Sequence, residues 1–154
     1  MKGIRVAIGS DHAAFELKEL VAQELRAAGV QVEDVGTFSK ESVDYPDFAA
    51  EVGRRVVSGA ADRGIALCGT GMGVAIACNK IPGIRAALCH DVTTARLARE
   101  HNDSNVLCMG GRITGPAVAM DIVRTWLAAG FEGERHQRRI EKISALEREK
   151  ERVR

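Results

Sequence analysis

Cys68 stands directly before Gly69-Thr70-Gly71-Met72-Gly73, where residue types and spacing best suit chemistry. Closely spaced glycines let a backbone approach a ligand and turn its N–H groups inward as an anion-binding nest. A helix opening there adds its positive N-terminal end, and a thiol beside such a nest ionises more easily. The combination could hold an oxyanion or enediolate while Cys68 acts as general base. The plainer alternative is a strand-end cysteine packed in the core beside a tight turn. The loop is not a dinucleotide fingerprint, because its glycines run GxGxG rather than GxGxxG. It is not a Walker loop either, because no Lys-Ser/Thr follows the last glycine. NAD and ATP are therefore disfavoured.

Two further groups carry ionisable side chains. Asp11-His12 could bind hydroxyls or shuttle protons, although a helix cap at Asp11 with an exposed His12 explains the same pair. His90 and Asp91 read as surface and cap. Arg135, His136, Arg138 and Arg139 form a compact basic cluster. Arg135 and Arg139 are four apart, on one face if the segment is helical, and could grip one phosphate. Otherwise they form a solvated face. Glu134 and Glu141 flank the cluster, which argues against nucleic acid.

These groups need a scaffold, and the apolar pattern supplies one. Strand-like runs at 4–8, 31–35, 65–68, 85–89 and 105–109 alternate with helix-period segments. Leu17, Leu20, Val21 and Leu25 stripe a first helix ending at Gly29, and Phe48, Ala49, Val52 and Val56 a second, entered through Tyr45-Pro46. Further helices follow Gly73 and span 93–100 and 116–129. Such alternation implies parallel strands joined by right-handed crossovers. The expected fold is a single α/β domain over 1–154, a doubly wound five-stranded parallel sheet (Rossmann-like). Ligands of such sheets bind beyond the carboxyl ends of the strands, so the loops at 9–14, 69–73 and 110–115 matter most. Residues 134–154 read as a C-terminal helical arm. Its stripe of Ile140, Ile143 and Leu146 is thin, suiting either a neighbouring subunit or a solvated helix.

Bulk properties narrow the function classes. The 154 residues carry a formal net charge of +1, so no global field points to nucleic acid or a membrane surface. Only 4% are aromatic, which weakens a base-stacking platform. No apolar run approaches the roughly 20 residues of a spanning helix, and no signal segment opens the chain. Cys68, Cys78, Cys89 and Cys108 form no CxxC pair, so the expectation is a reduced, cytoplasmic protein.

Taken in order, Asp11-His12, Asp44-Tyr45-Pro46, Cys68-Gly69-Thr70-Gly71, Asn79-Lys80, His101-Asn102-Asp103, Gly111-Arg112 and Arg135-His136-Gln137 form a pattern. It closely resembles the type B ribose 5-phosphate isomerases, in the family that also holds galactose and allose 6-phosphate isomerases. The resemblance runs from Ile4 to about Leu146. It implies interconversion of D-ribose 5-phosphate and D-ribulose 5-phosphate without metal or organic cofactor. By that resemblance Cys68 is the base, His101 opens the furanose ring, and the amides of Gly69, Thr70, Gly71, Met72 and Gly73 hold the enediolate with help from Thr70. Asp11, His12, Tyr45, Asn102 and Arg112 contact the sugar, and Arg135, Arg139 and His12 the phosphate. One branch of the family places a glutamate base inside the glycine loop. This loop has no carboxylate, so the chain resembles the cysteine branch. Alternatives on the same fold are a hexose 6-phosphate isomerase and a non-catalytic sugar-phosphate sensor, in which Cys68 only packs.

One consequence follows from topology. Cys68, Asp11 and Arg112 follow strands, whereas His101 and Asn102 precede the fifth. That places them at the opposite sheet edge, on the order of 17 Å away. His101 and Asn102 are thus expected to serve the site of a neighbouring subunit in a homodimer or tetramer, with a dimer as the minimal unit.

Overall fold

The computed structural model describes Met1 and residues 3–153, with Lys150 described by its backbone only. The strands are β1 (Arg5–Ser10), β2 (Gln31–Asp34), β3 (Arg63–Cys68), β4 (Ala86–Leu88) and β5 (Val106–Gly110). The helices are α1 (Phe15–Ala27), α2 (Tyr45–Val57), α3 (Met72–Cys78), α4 (Val92–Asn102), α5 (Pro116–Ala128) and α6 (Arg135–Arg152), with a single 3-10 turn at His12–Ala14. All four strand pairings are parallel and the order is β2-β1-β3-β5-β4. The doubly wound α/β sheet expected from the alternation is the fold observed.

Strand period 2 divides the core. Val6, Ile8, Ile65, Leu67, Leu107 and Met109 face α1, α4 and α5. Ala66, Cys68, Val106 and Cys108 face α2 and α3 on the other side. Cys68 therefore ends β3 with its side chain toward the α2–α3 layer. No described helix is long and apolar enough to cross a membrane.

Several boundaries differ from the sequence expectation, and the differences concern the site. Gly9 and Ser10 belong to β1 and Gly110 to β5, so the loops at the carboxyl edge are shorter than expected. Helix α4 runs on through Asn102, so His101 and Asn102 occupy its last turn rather than a loop. Asp91 starts that helix by accepting the Thr94 N–H at 2.7 Å. Asp103, in the left-handed region at φ 44°, stops it. Helix α6 lies back over its own chain. Ile140 is buried and Glu147 accepts the Gly83 N–H at 3.0 Å, while Ile143 and Leu146 stay exposed.

A buried ion pair shapes the ground beside β1. Lys18 on α1 is fully buried and bonds to Asp34 at the end of β2. Its ammonium also lies 5.4 Å from the rings of Phe15 and Phe38. Asp34 in turn accepts the Gly36 N–H, and the segment returns to β1 through Thr37 N–H to Ser10 O at 2.8 Å. This fixes the start of the stretch that leads to Val43.

Candidate active site

The end of β3 turns straight into the start of α3, and the turn depends on Gly71. That residue has φ +80°, and a Cβ there would lie 2.7 Å from the backbone carbon of Met109. The same turn aims the Gly71 N–H at Cys68 Sγ, 3.2 Å away. Cys68 is 4% exposed, so this amide meets its sulfur in a dry setting. The Thr70 hydroxyl oxygen accepts the Met72 N–H at 3.2 Å, which leaves its own proton free to donate outward. The expectation of an open row of amides thus needs correction. The Gly71 and Met72 amides already bond to Cys68 and Thr70.

Neighbouring strands bring further groups to this edge. Arg112 follows β5 and crosses beside Gly69, whose Cβ would lie 3.4 Å from Arg112 Cδ. Its N–H donates to Gly69 O at 3.0 Å. Tyr45 at the start of α2 covers Gly73 so closely that a Cβ there would stand 2.6 Å from the ring. Asp11 joins from β1, its N–H donating to Leu67 O at 3.2 Å. Asp11 Oδ1 accepts the N–H groups of Ala13 and Ala14, so it does serve as a cap, and Oδ2 remains for a ligand. His12 Nδ1 accepts the Val43 N–H at 3.1 Å. Neutral His12 must then carry its proton on Nε2, as a donor. Val43 is a partner that sequence inspection had no means to find. The switch between β1 and β3 is the crevice where open parallel sheets bind ligands.

His101, Asn102, Arg135 and Arg139 lie elsewhere. The start of β5 aligns with the start of β3, Gly64 with Val106, and Cys68 aligns with Gly110 four residues further on. At about 3.3 Å per residue the two edges are about 13 Å apart along the strands. His101, at the end of α4, stacks on His136 of α6 at 4.3 Å between ring centroids. Arg135 and Arg139 are exposed on the first turns of α6. Burial first, then the charges of His101 and Arg135, hold His136 below the usual histidine range. The structure therefore brings Cys68, Thr70, Tyr45, Arg112, Asp11 and His12 to one edge and groups His101 with the α6 arginines at the other. Within one chain the phosphate set His12, Arg135 and Arg139 is divided.

The sequence and fold recur in known proteins. Residues 6–143 fit the family described as Ribose/Galactose Isomerase. The chain belongs to that family. The isomerase is 48% identical over 143 residues to ribose-5-phosphate isomerase B of Escherichia coli (strain K12), covering 93% of this chain and 96% of that one. It superposes with a TM-score of 0.94 on ribose-5-phosphate isomerase B of Clostridium thermocellum, at 51% identity over 95% of this chain and 99% of the other. A relative from Pectobacterium atrosepticum, named D-erythrulose-4-phosphate isomerase, is 41% identical and covers 94% of this chain and 95% of its own.

Proposed function

We propose that the isomerase interconverts D-ribose 5-phosphate and D-ribulose 5-phosphate through an enediolate, with Cys68 as the base. The observation that carries this reading is the Gly71 N–H held 3.2 Å from a buried Cys68 Sγ at the mouth of α3. As a thiolate, Cys68 takes the C2 proton of the open-chain aldose and returns it to C1 of the enediolate, while the O2 hydroxyl proton passes to O1. The Thr70 hydroxyl and the amides of Gly69, Thr70 and Gly73 stabilise the oxygen charge that develops between those steps. Asp11 through Oδ2, His12 through Nε2–H, Tyr45, Asn102 and Arg112 hold the sugar. His101 donates the proton that opens the ring. Arg135, Arg139 and His12 hold the phosphate.

The division of these groups between two sheet edges supports a site completed by a second copy. His101, Asn102, Arg135 and Arg139 of one protomer then face Cys68 of its partner, with a homodimer as the smallest active unit. A hollow of about 500 Å³ beside β4 and α4, and exposed apolar side chains at Met72 and Ile76, suit a face covered by another chain. The four free, buried cysteines suit a reducing compartment such as the cytoplasm.

A coupled assay on ribose 5-phosphate with chelator present, run beside allose 6-phosphate, tests the proposal. Turnover that favours the pentose is expected. Preference for the hexose overturns the substrate, and no turnover of either overturns the catalytic reading.

A further inference from the structure

The edge opposite Cys68 carries a set of ligand-type groups that the isomerisation does not fully use. His101, Glu132 and His136 each offer one ligand atom, all within 4.8 Å of one another. The two imidazoles are stacked with 12° between their planes. Both Nε2 atoms face one carboxylate oxygen, Glu132 Oε2, at 3.5 Å from His136 and 4.0 Å from His101.

The cluster is built rather than loose. His136 is 6% exposed, and its Nε2 is buried without a hydrogen-bond partner. A buried polar nitrogen aimed at a carboxylate yet not bonded to it calls for an occupant. The backbone holds the set in place, since the Glu132 N–H donates to Glu100 O at 3.0 Å and the His136 N–H to Gly133 O at 2.9 Å. The first of these bonds ties Glu132 to the turn of α4 that carries His101.

We propose that His101, Glu132 and His136 form a divalent-cation site suited to Zn²⁺, and that filling it switches the isomerase off by occupying the imidazole of His101. Two imidazoles and a carboxylate are a zinc donor set that leaves a fourth position to water. Tetrahedral zinc sets its ligand atoms about 3.4 Å apart. The His136–Glu132 pair already has that spacing. The His101–Glu132 pair must close by about half an ångström, and the rings must fan out of their stack so that both lone pairs meet one ion. His101, half-exposed at a helix end, has room for that rotation. Arg135 and Arg139 beside His136 oppose a doubly charged ion, so the site is reversible and regulatory rather than structural. The inhibition rests on the proposed role of His101, but the binding does not.

Calorimetric titration of the whole isomerase with Zn²⁺, and absorption spectra with Co²⁺, test the site. One ion per chain is expected, with weak visible bands of nitrogen and oxygen ligation and no intense thiolate band. Glu132→Gln and His136→Gln should each weaken binding by about tenfold or more. Glu132→Gln should keep metal-free turnover, and its turnover should resist Zn²⁺ that silences the native enzyme. No binding, binding unchanged in both variants, or a thiolate spectrum overturns the site. Binding at the site without inhibition upholds the site and instead overturns the role given to His101.

Discussion

The two edges of the sheet solve the same problem by opposite means. At the carboxyl edge the machinery is largely backbone. The Gly71 amide bonds to Cys68 and the Met72 amide to Thr70, and close packing around Gly71 and Gly73 leaves little freedom. At the amino edge the machinery is side chain. His101, Arg135 and Arg139 stand near helix ends and are at least partly exposed. A proton-moving base needs a fixed, dry donor to hold its charge, which a nest of amides provides. Ring opening and phosphate capture need reach, which long or rotatable side chains provide. On the proposed roles each edge supplies half of a site, and a strand length separates them.

The comparison predicts its largest effect at the backbone-built edge. Cys68→Ala should lower kcat by about 10²–10⁴-fold, the usual worth of a positioned acid or base. Ribose 5-phosphate should still bind, as isothermal titration would show. Substantial residual turnover would move the base elsewhere.

The next effect separates the two edges in solution. Cys68→Ala and His101→Asn should each be nearly inactive alone. Co-refolded in equal amounts, they should regain about a quarter of native turnover, because half of the symmetric dimers are hybrids with one intact site in two. If mixing restores nothing, both groups work within one chain and the shared site is wrong.

How legible were these two edges in the sequence? The elements were legible because each obeys a local period: alternation in the strands, and a helical stripe such as Leu17, Val21 and Leu25 in α1. The Cys68 loop was also legible, since its glycines, its thiol and the helix after it are contiguous. The order of elements puts His101 and Asn102 at the amino edge, but not on a helix end, because the αL stop at Asp103 leaves no sequence trace stronger than an aspartate. Glu132 and His136 beside His101 were not legible at all. Their meeting depends on how α5 carries the chain back over some thirty residues, and no local pattern encodes that. The Val43 amide on His12 Nδ1 is hidden for the same reason. It is a backbone group in the connection between β2 and α2, and no local pattern aims it at His12.

A smaller effect concerns stability. Gly71→Ala asks an L side chain to sit at φ +80° with its Cβ within 2.7 Å of Met109 backbone. About 2–4 kcal/mol should be lost, from left-handed strain plus overpacking. Urea unfolding measures this. Turnover should fall further than the folded fraction does, because the Gly71 N–H would leave Cys68. Equal falls would mean that Gly71 serves folding alone.

The smallest effect lies within the carboxyl edge, between two strand-end thiols. Cys89 follows β4, and burial pushes its thiol up to about 11, with Asp91 adding to the shift and Thr94 opposing it. Unlike Cys68 it has no backbone amide on its sulfur; its Sγ lies 3.8 Å from Ala87 O, an acceptor. Near neutral pH Cys89 is therefore a protonated packing residue, and iodoacetamide should modify Cys68 first, with substrate protecting it. The sign of the linkage follows from the raised value. The folded state holds the Cys89 proton more tightly than the unfolded chain, whose thiol titrates near 9. Stability from this thiol is fully present below that pH and is lost as pH climbs towards about 11. The loss is capped at about 2–3 kcal/mol. Thermal melts of the native chain should fall between these limits, and those of Cys89→Ala should fall less steeply. Identical slopes would show that Cys89 does not titrate with unfolding, and the contrast between the two thiols would then rest on reactivity alone.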